Sequence, residues 1–384
     1  MLSRRSFSAM AALACLTSPS VLNARSKARV LVVGAGAAGL TAAYHLANAG
    51  ADVRILEASS RWGGRLKRVD GFSEVPLDLG AEWLHDDPTM LGQIIGRGDT
   101  DLDVETIDYR PQTYRFWHEG ELHSLNALRH AYGEVKFYDT TWYGFFERFI
   151  LPTVRNLIEF NAPVSKIASI GDGISAHLES GAILNADKIL ITVPLSVLQQ
   201  DRIVFSADLA EPRLRHLKDI RFGQGFKIFM KFTERFYPDI LMFGSRWKVL
   251  QDSWDEKIYY DAALGKPTRD NILGLFTVSE ASLPRAVLDD RALLQSVMTE
   301  LTEIFGDVVD RTFVKAEVQN WSRDPHILGS YSMSNNSDMD IGDILAPLSG
   351  RVYFAGEALG GDAQSTVHGA AFSAIDAVES LIGD

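Results

Sequence analysis

The stretch from Arg29 to Arg65 constrains this chain more than any other. Val30 to Val33 is an unbroken run of branched aliphatic residues, the pattern of a strand buried on both faces of a parallel sheet. Gly34, Gly36 and Gly39 follow at Gly-x-Gly-x-x-Gly spacing, and the small and apolar residues from Leu40 to Tyr44 continue as a helix. Ala51 to Leu56 reads as a second strand that ends at Glu57. Each part has a physical role. Gly34 makes a tight turn, Gly36 lets a pyrophosphate approach the backbone, and Gly39 lets helix and strand pack closely. The helix N-terminus offers free N–H groups and partial positive charge to phosphates. Glu57 can accept hydrogen bonds from ribose hydroxyls. Strand, glycines, helix, strand and acid in this order specify a dinucleotide site rather than an isolated glycine-rich turn.

Arg61-Trp62-Gly63-Gly64-Arg65 comes directly after the acid. Here the chain resembles the flavin-containing amine oxidase family, whose Arg-x-Gly-Gly-Arg extension wraps over the pyrophosphate and reaches the flavin. The resemblance implies FAD, with Ala38, Ala58, Arg61, Gly64 and Arg65 beside it. Leu77 to His85 resembles the family's Gly-Ala-x-Trp-[Ile/Leu]-His segment along the substrate channel. That implies Gly80, Ala81 and Trp83 near the flavin, with Glu82 and His85 on the approach to it. A carboxylate there can hold an ammonium group, and a histidine can exchange protons near neutral pH. The competing reading places Trp83 and Leu84 in the core, with Glu82 and His85 facing solvent. L-amino acid oxidases carry a carboxylate-binding arginine in this segment; Glu82 and Trp83 argue against such an anchor.

Three later motifs extend the resemblance. In the family, the residue matching Val164 pairs its backbone with adenine. Phe222 to Phe232 alternates, with Lys227, Phe229 and Lys231 on one face. It resembles the strand whose buried lysine reaches flavin N5 through a water, which places that role on Lys227; the alternative is an exposed strand lysine. Trp321 to Ser332 resembles Trp-x-x-[Asp/Glu]-Pro-x-x-x-Gly-[Ser/Cys/Thr]-[Tyr/Phe]. Ser330 stands where monoamine oxidases have the cysteine that binds flavin covalently, so FAD is expected to be non-covalent. Tyr331 matches the aromatic residue flanking the substrate amine. Ala355-Gly356-Glu357 resembles the motif that closes the flavin site. The helix opening at Thr366, Val367 and Ala370 is expected to aim its N-terminus at the flavin N1 and C2=O, where reduction places negative charge. Thr366 follows the polyamine oxidases and flavin histone demethylases rather than the monoamine oxidases, which have an aromatic residue there.

The N-terminus reads as separate from the fold. Ser3-Arg4-Arg5-Ser6-Phe7 is a twin-arginine pattern followed by a weakly apolar run, so residues 1–24 are expected to be a Tat-type signal directing the protein to the periplasm or outside the cell. The one cysteine, Cys15, lies inside it, which leaves the remaining chain without a disulfide, a cysteine-ligated metal or a thioether to flavin; no metal site is expected. A formal charge of −12 suits cationic substrates and disfavours nucleic acid. No apolar run reaches the roughly 18 residues of a membrane span.

The expected fold is α/β: a Rossmann-like three-layer FAD-binding domain from residues 27–87, 161–215 and 345–384. An interleaved α+β substrate domain on a mixed sheet takes residues 88–160 and 216–344. Leu283 to Phe305 reads as one amphipathic helix ending at Gly306. The expected reaction passes hydride from the carbon next to an amine nitrogen to flavin N5, with imine hydrolysis and reoxidation by O2 to H2O2. The rivals are a desaturase-like or protoporphyrinogen-oxidase-like FAD enzyme, which needs neither Lys227 nor Tyr331, and a non-catalytic FAD-binding partner protein.

Overall fold

The computed structural model describes residues 27–98, 100–125, 133–245, 257–335 and 338–383. The twin-arginine segment and Cys15 lie outside the described residues.

The glycine-rich unit forms as its pattern requires. Strand β1 (Arg29–Val33) leads through Gly34 into helix α1 (Ala37–Asn48), and the chain returns in strand β2 (Asp52–Leu56), parallel to β1. Gly34 turns with φ +107°, a conformation side-chain-bearing residues avoid. Three more strands complete a five-stranded sheet in the order Val352–Phe354, Lys188–Ile191, β1, β2, Ile158–Glu159. Every neighbouring pair in it is parallel.

Side-chain alternation along β1 explains the layers. Val30 and Val32 pack into one core with Leu40, Ala42, Ala43 and Leu46 of α1 and with Ala371 and Ala374 of the last helix. Leu31 and Val33 pack into a second core with Ile167, Ile174 and Ala176, which belong to a four-stranded sheet. The parallel sheet is thus covered by helices on one side and by a sheet on the other, which is why its strands read as continuous apolar runs. Ile158–Glu159 joins this sheet from within the segment that the sequence assigns to the substrate domain.

A mixed seven-stranded sheet forms the opposite half. Its order is Phe313–Asn320, Gly225–Phe232, Asn271–Val278, Lys257–Asp261, Ile240–Phe243, Tyr114–His118, Glu121–Ser124, with one parallel pair, Ile240–Phe243 beside Tyr114–His118. Strand β3 (Glu134–Phe137) lies near it; its Lys136 bridges to Trp83, and its Val135 carbonyl accepts from the Leu84 N–H at 2.9 Å. The helix expected over Leu283 to Phe305 is two helices, Ser279–Ala286 and Asp290–Phe305. Asp289 divides them because its carboxylate caps the second, accepting from the Ala292 N–H at 2.8 Å.

Helix α1 and the final helix, α2 (Val367–Gly383), pack against each other, and both begin at the same cleft. Each needs a glycine in its first turn. A Cβ on Gly39 would lie 1.9 Å from the Gly34 carbonyl oxygen, and one on Gly369 would lie 2.0 Å from the Ala363 carbonyl oxygen. Gly36 differs: a Cβ there meets nothing nearer than the Gly63 oxygen at 3.9 Å. Gly39→Ala should therefore lower the thermal midpoint, at a cost of roughly 1–3 kcal/mol or more from overpacking. Gly36→Ala should leave the midpoint of the ligand-free protein close to wild type. Thermal unfolding followed by circular dichroism checks both; equal midpoints for the two variants contradict this reading of the turn.

Candidate active site

A cleft of about 880 Å³ is lined from both the parallel sheet and the seven-stranded sheet. That volume belongs to the class that holds small molecules and cofactors. All the candidate residues of the sequence motifs line it except Gly39, which lies behind the turn and packs on β1.

At one end stand Gly34, Gly36, Ala38, Glu57 and Ala58. The first turn of α1 holds no acidic residue, so its positive end is uncompensated. The buried Glu57 carboxylate accepts from the Ala35 N–H and the Ser59 N–H, each at 2.8 Å, which fixes the glycine turn to the tip of β2. Arg61 lines the cleft as expected. Its guanidinium donates to the carbonyls of Trp62, Gly64 and Leu66, so it braces its own loop. Arg65 donates to the Ser330 carbonyl at 2.8 Å and to Glu357 at 3.0 Å, tying this loop to both C-terminal motifs. Glu357 also accepts from the Ser332 hydroxyl at 2.6 Å, and the Trp321 indole donates to the Leu79 carbonyl at 3.1 Å. Val164 opens its strand at a bulge beside the same cleft.

Helix α2 begins further along the cleft. The Thr366 hydroxyl accepts from the Gly369 N–H at 2.9 Å and donates to the Ala363 carbonyl at 2.7 Å. Thr366 is therefore a helix cap, which holds the N-terminal turn with Val367 and Ala370 at the cleft wall. Two helix N-termini, an open Gly36 and Arg65 at one elongated cleft fit an anionic dinucleotide such as FAD, and a side chain at Gly36 would occupy the approach.

The wall formed by the seven-stranded sheet carries Lys227, Ile258, Phe276 and Thr277, with Trp83, Glu82 and Tyr331 adjoining. Glu82 is 5% exposed and Lys227 2%. The Lys227 ammonium has three N–H donors, and three acceptors meet it: the Asp78 carbonyl at 2.7 Å, the Gly80 carbonyl at 3.1 Å and Glu82 at 2.6 Å. The acceptors that Lys227 meets within the protein thus equal its donors in number. The Glu82 carboxylate also meets Lys136 and accepts from the Tyr260 hydroxyl. Glu82 thus takes two ammonium groups from the chain itself, which corrects the expectation that it holds one from a substrate. Burial alone pushes its carboxyl up; Lys136 and then Lys227 overcome that and hold it down at about 2. Burial pulls the Lys227 ammonium below its ordinary value, against the attraction of Glu82.

His85 sits at the rim with φ +62°, and its Nδ1 is 3.1 Å from Glu134, which also lines the cleft. Lys136, Glu134 and Asp78 were missed in the sequence. Lys136 and Glu134 alternate in a short strand far from any motif, a pattern equally suited to a solvent-facing edge. Asp78 lies inside a motif but reads there as a strand residue.

The family model for flavin containing amine oxidoreductases matches residues 37–148 and 147–382. The chain belongs to that family. Its activity is that of an FAD-dependent amine oxidase. Polyamine oxidase 4 of Oryza sativa subsp. japonica is 26% identical, across 91% of this chain and 88% of that protein. Lysine-specific histone demethylase 1B of Mus musculus is 24% identical across 90% of this chain, which spans about half of that protein, 52%. Cyclohexylamine oxidase from Brevibacterium oxydans IH-35A has the same fold, with a TM-score of 0.74 at 16% identity, covering 93% of this chain and 99% of that one.

Asp78 gives the site a pH signature. Its carboxyl is buried, with one oxygen accepting from the Trp142 N–H at 3.1 Å, and burial pushes it up to about 7. An unfolded Asp ionises near 3.8, so between about pH 4 and 7 the folded protein retains a proton that the unfolded chain has lost. Stability from this group therefore falls as pH rises through that window. Asp78→Asn keeps the acceptor for Trp142 and removes the titration. Its thermal midpoint should fall less between pH 4.5 and 7.5 than the wild-type midpoint does. Parallel curves for the two proteins would contradict the assignment.

Proposed function

We propose that this amine oxidase binds FAD non-covalently and oxidises a small amine whose reacting carbon lies against the wall formed by Trp83, Phe276 and Tyr331. One observation carries the reading: that aromatic wall and the dinucleotide turn of β1–α1 face the same cleft. FAD, when bound, supplies the acceptor for hydride from the carbon next to the amine nitrogen and passes the electrons to O2, giving H2O2, while the imine hydrolyses in water.

The chain's own residues supply binding and orientation. The N-terminus of α1 and the Gly36 backbone receive the pyrophosphate, and Glu57 at the tip of β2 receives the ribose. Helix α2, capped by Thr366, presents positive potential to the part of the ring system that gains negative charge. Trp83, Phe276 and Tyr331 exclude water from the reacting carbon, and Tyr331 flanks the amine. Ser330 supports non-covalent attachment: its hydroxyl donates to the Gly223 carbonyl at 3.0 Å, and no cysteine stands at this position. The Ser3 to Phe7 pattern supports export by the twin-arginine route to the periplasm or outside the cell.

Anaerobic addition of amines to the oxidised holoenzyme tests the activity. A substrate amine should bleach the flavin band near 450 nm, and admission of O2 should restore it with formation of H2O2. A flavin that no amine bleaches, but that a cyclic desaturation substrate does, supports the rival desaturase-like reading instead. Acid precipitation tests the attachment. All flavin should appear in the supernatant, and yellow colour in the washed pellet would overturn the non-covalent reading.

A further inference from the structure

The amine end of the cleft has a charge arrangement unusual for a site that receives cations. Glu134 and Lys136 are two residues apart in β3, so their side chains leave the same face of the strand. Glu134 is partly exposed at the rim, beside His85. Lys136 is fully buried, with its ammonium 4.6 Å from the centre of the Tyr109 ring, 5.2 Å from Trp83 and 5.3 Å from Tyr260. Its ionic partner is Glu82, which also binds Lys227. Two buried ammonium groups therefore share one carboxylate. Strand β3 places an anion at the mouth and a cation behind the cleft wall, against Glu82.

We propose that Lys136 is a specificity-determining residue: by sharing Glu82 with Lys227 from behind the cleft wall, it leaves net positive charge on that wall, so the amine is held beside it in its neutral form. The proposal rests on the amine oxidase reading. An arriving ammonium ion is attracted to Glu134, releases one proton to solvent and enters as the free amine, the form that can lose hydride from the adjacent carbon. The same charge opposes an amine that carries a second ammonium group to the wall formed by Glu82 and Lys227. Substrates with an apolar body next to the nitrogen are the class that fits.

The surrounding groups do not cancel this charge. Asp78 is pushed up to about 7 by burial and neutralises it only in part near neutral pH. Half-buried Lys266, lowered to about 8 by burial and then Lys136, adds to it below that pH. Asp261 is engaged by Arg235 at 2.9 Å. The Tyr109 and Tyr260 hydroxyls are neutral; Tyr109 donates to the Asp261 carbonyl and Tyr260 to Glu82.

The test uses holoenzyme and tert-butylamine, which has no hydrogen on the carbon bearing nitrogen and so binds without being oxidised. Its dissociation constant is read from the perturbation of the flavin absorbance at pH 7.5, where it is almost entirely ammonium, and at pH 9.5. Lys136→Met removes one cation and leaves the Glu82–Lys227 pair balanced. It should bind tert-butylamine about tenfold more tightly than wild type at pH 7.5, equivalent to about 1.4 kcal/mol, with a smaller gain at pH 9.5. Glu82→Gln removes the anion and should shift binding the opposite way. Asp78 and Lys266 are common to all three proteins, so comparison at one pH isolates the substituted charge. Damage to packing weakens binding in both variants and cannot tighten it in one.

Equal or weaker binding by Lys136→Met at pH 7.5 overturns the proposal. Should Lys136→Met not fold, Glu82→Gln decides: unchanged or tighter binding at pH 7.5 overturns the proposal, and weaker binding at pH 7.5 than at pH 9.5, relative to wild type, supports it. If both shifts occur yet no amine reduces the flavin of wild type, the charge assignment stands and the amine oxidase reading falls. If amines reduce the flavin and tert-butylamine binding is the same in all three proteins, only the role of Lys136 falls.

Discussion

The contact between the first turn of α1 and the end of β1 sets the geometry on which the rest depends. Gly39 can approach the Gly34 carbonyl only because it has no Cβ. That approach fixes the direction of α1 and brings its N-terminus to the cleft. α1 in turn packs on α2, whose first turn makes the same kind of contact, Gly369 against the Ala363 carbonyl. Both helix N-termini are therefore placed by backbone-to-backbone contact rather than by flexible side chains. A site that must hold a charged ligand in one position gains from such placement, because the dipoles are oriented before the ligand arrives.

The two halves of the cleft solve different electrostatic problems. The end beside the glycine turn presents helix N-termini, a source of positive potential that needs no buried charge. The amine end contains ionised side chains inside the protein, where each lone charge would carry a desolvation penalty of several kcal/mol. The structure meets that penalty by sharing. Glu82 serves Lys136 and Lys227, the Tyr260 hydroxyl completes the carboxylate, and backbone carbonyls of Asp78 and Gly80 complete Lys227. Breaking such a network from one side leaves an unpaired charge. Its members are therefore far less interchangeable than surface ion pairs such as Arg29 with Asp187, which stay solvated and contribute little.

Arg61 and Thr366 show how a motif can mark a place while leaving the work of its side chain open. Both line the cleft. Arg61 spends its donors on the carbonyls of its own loop, so the cleft gains a rigid loop from it. Thr366 spends its hydroxyl on capping α2, so the cleft gains an oriented helix end. In each case the side chain organises backbone that forms the cleft wall.

The sequence by itself determined the local unit and the order of the motifs. Periodicity and glycine spacing act over a few residues, so β1, α1, β2 and Glu57 follow from neighbours in the chain, whereas the burial of Lys227 was implied only by the resemblance to the family's strand. It also misjudged what local pattern cannot decide. The run from Leu283 to Phe305 is amphipathic throughout, yet the Asp289 cap divides it. Only the tertiary structure decided the partners of Glu82. Lys136, Lys227 and Tyr260 lie 54, 145 and 178 residues away from it, on strands whose own patterns carry no record of one another. Charge pairing in an interior depends on distance in space and on exclusion of water, and neither is encoded in the spacing of residues along the chain.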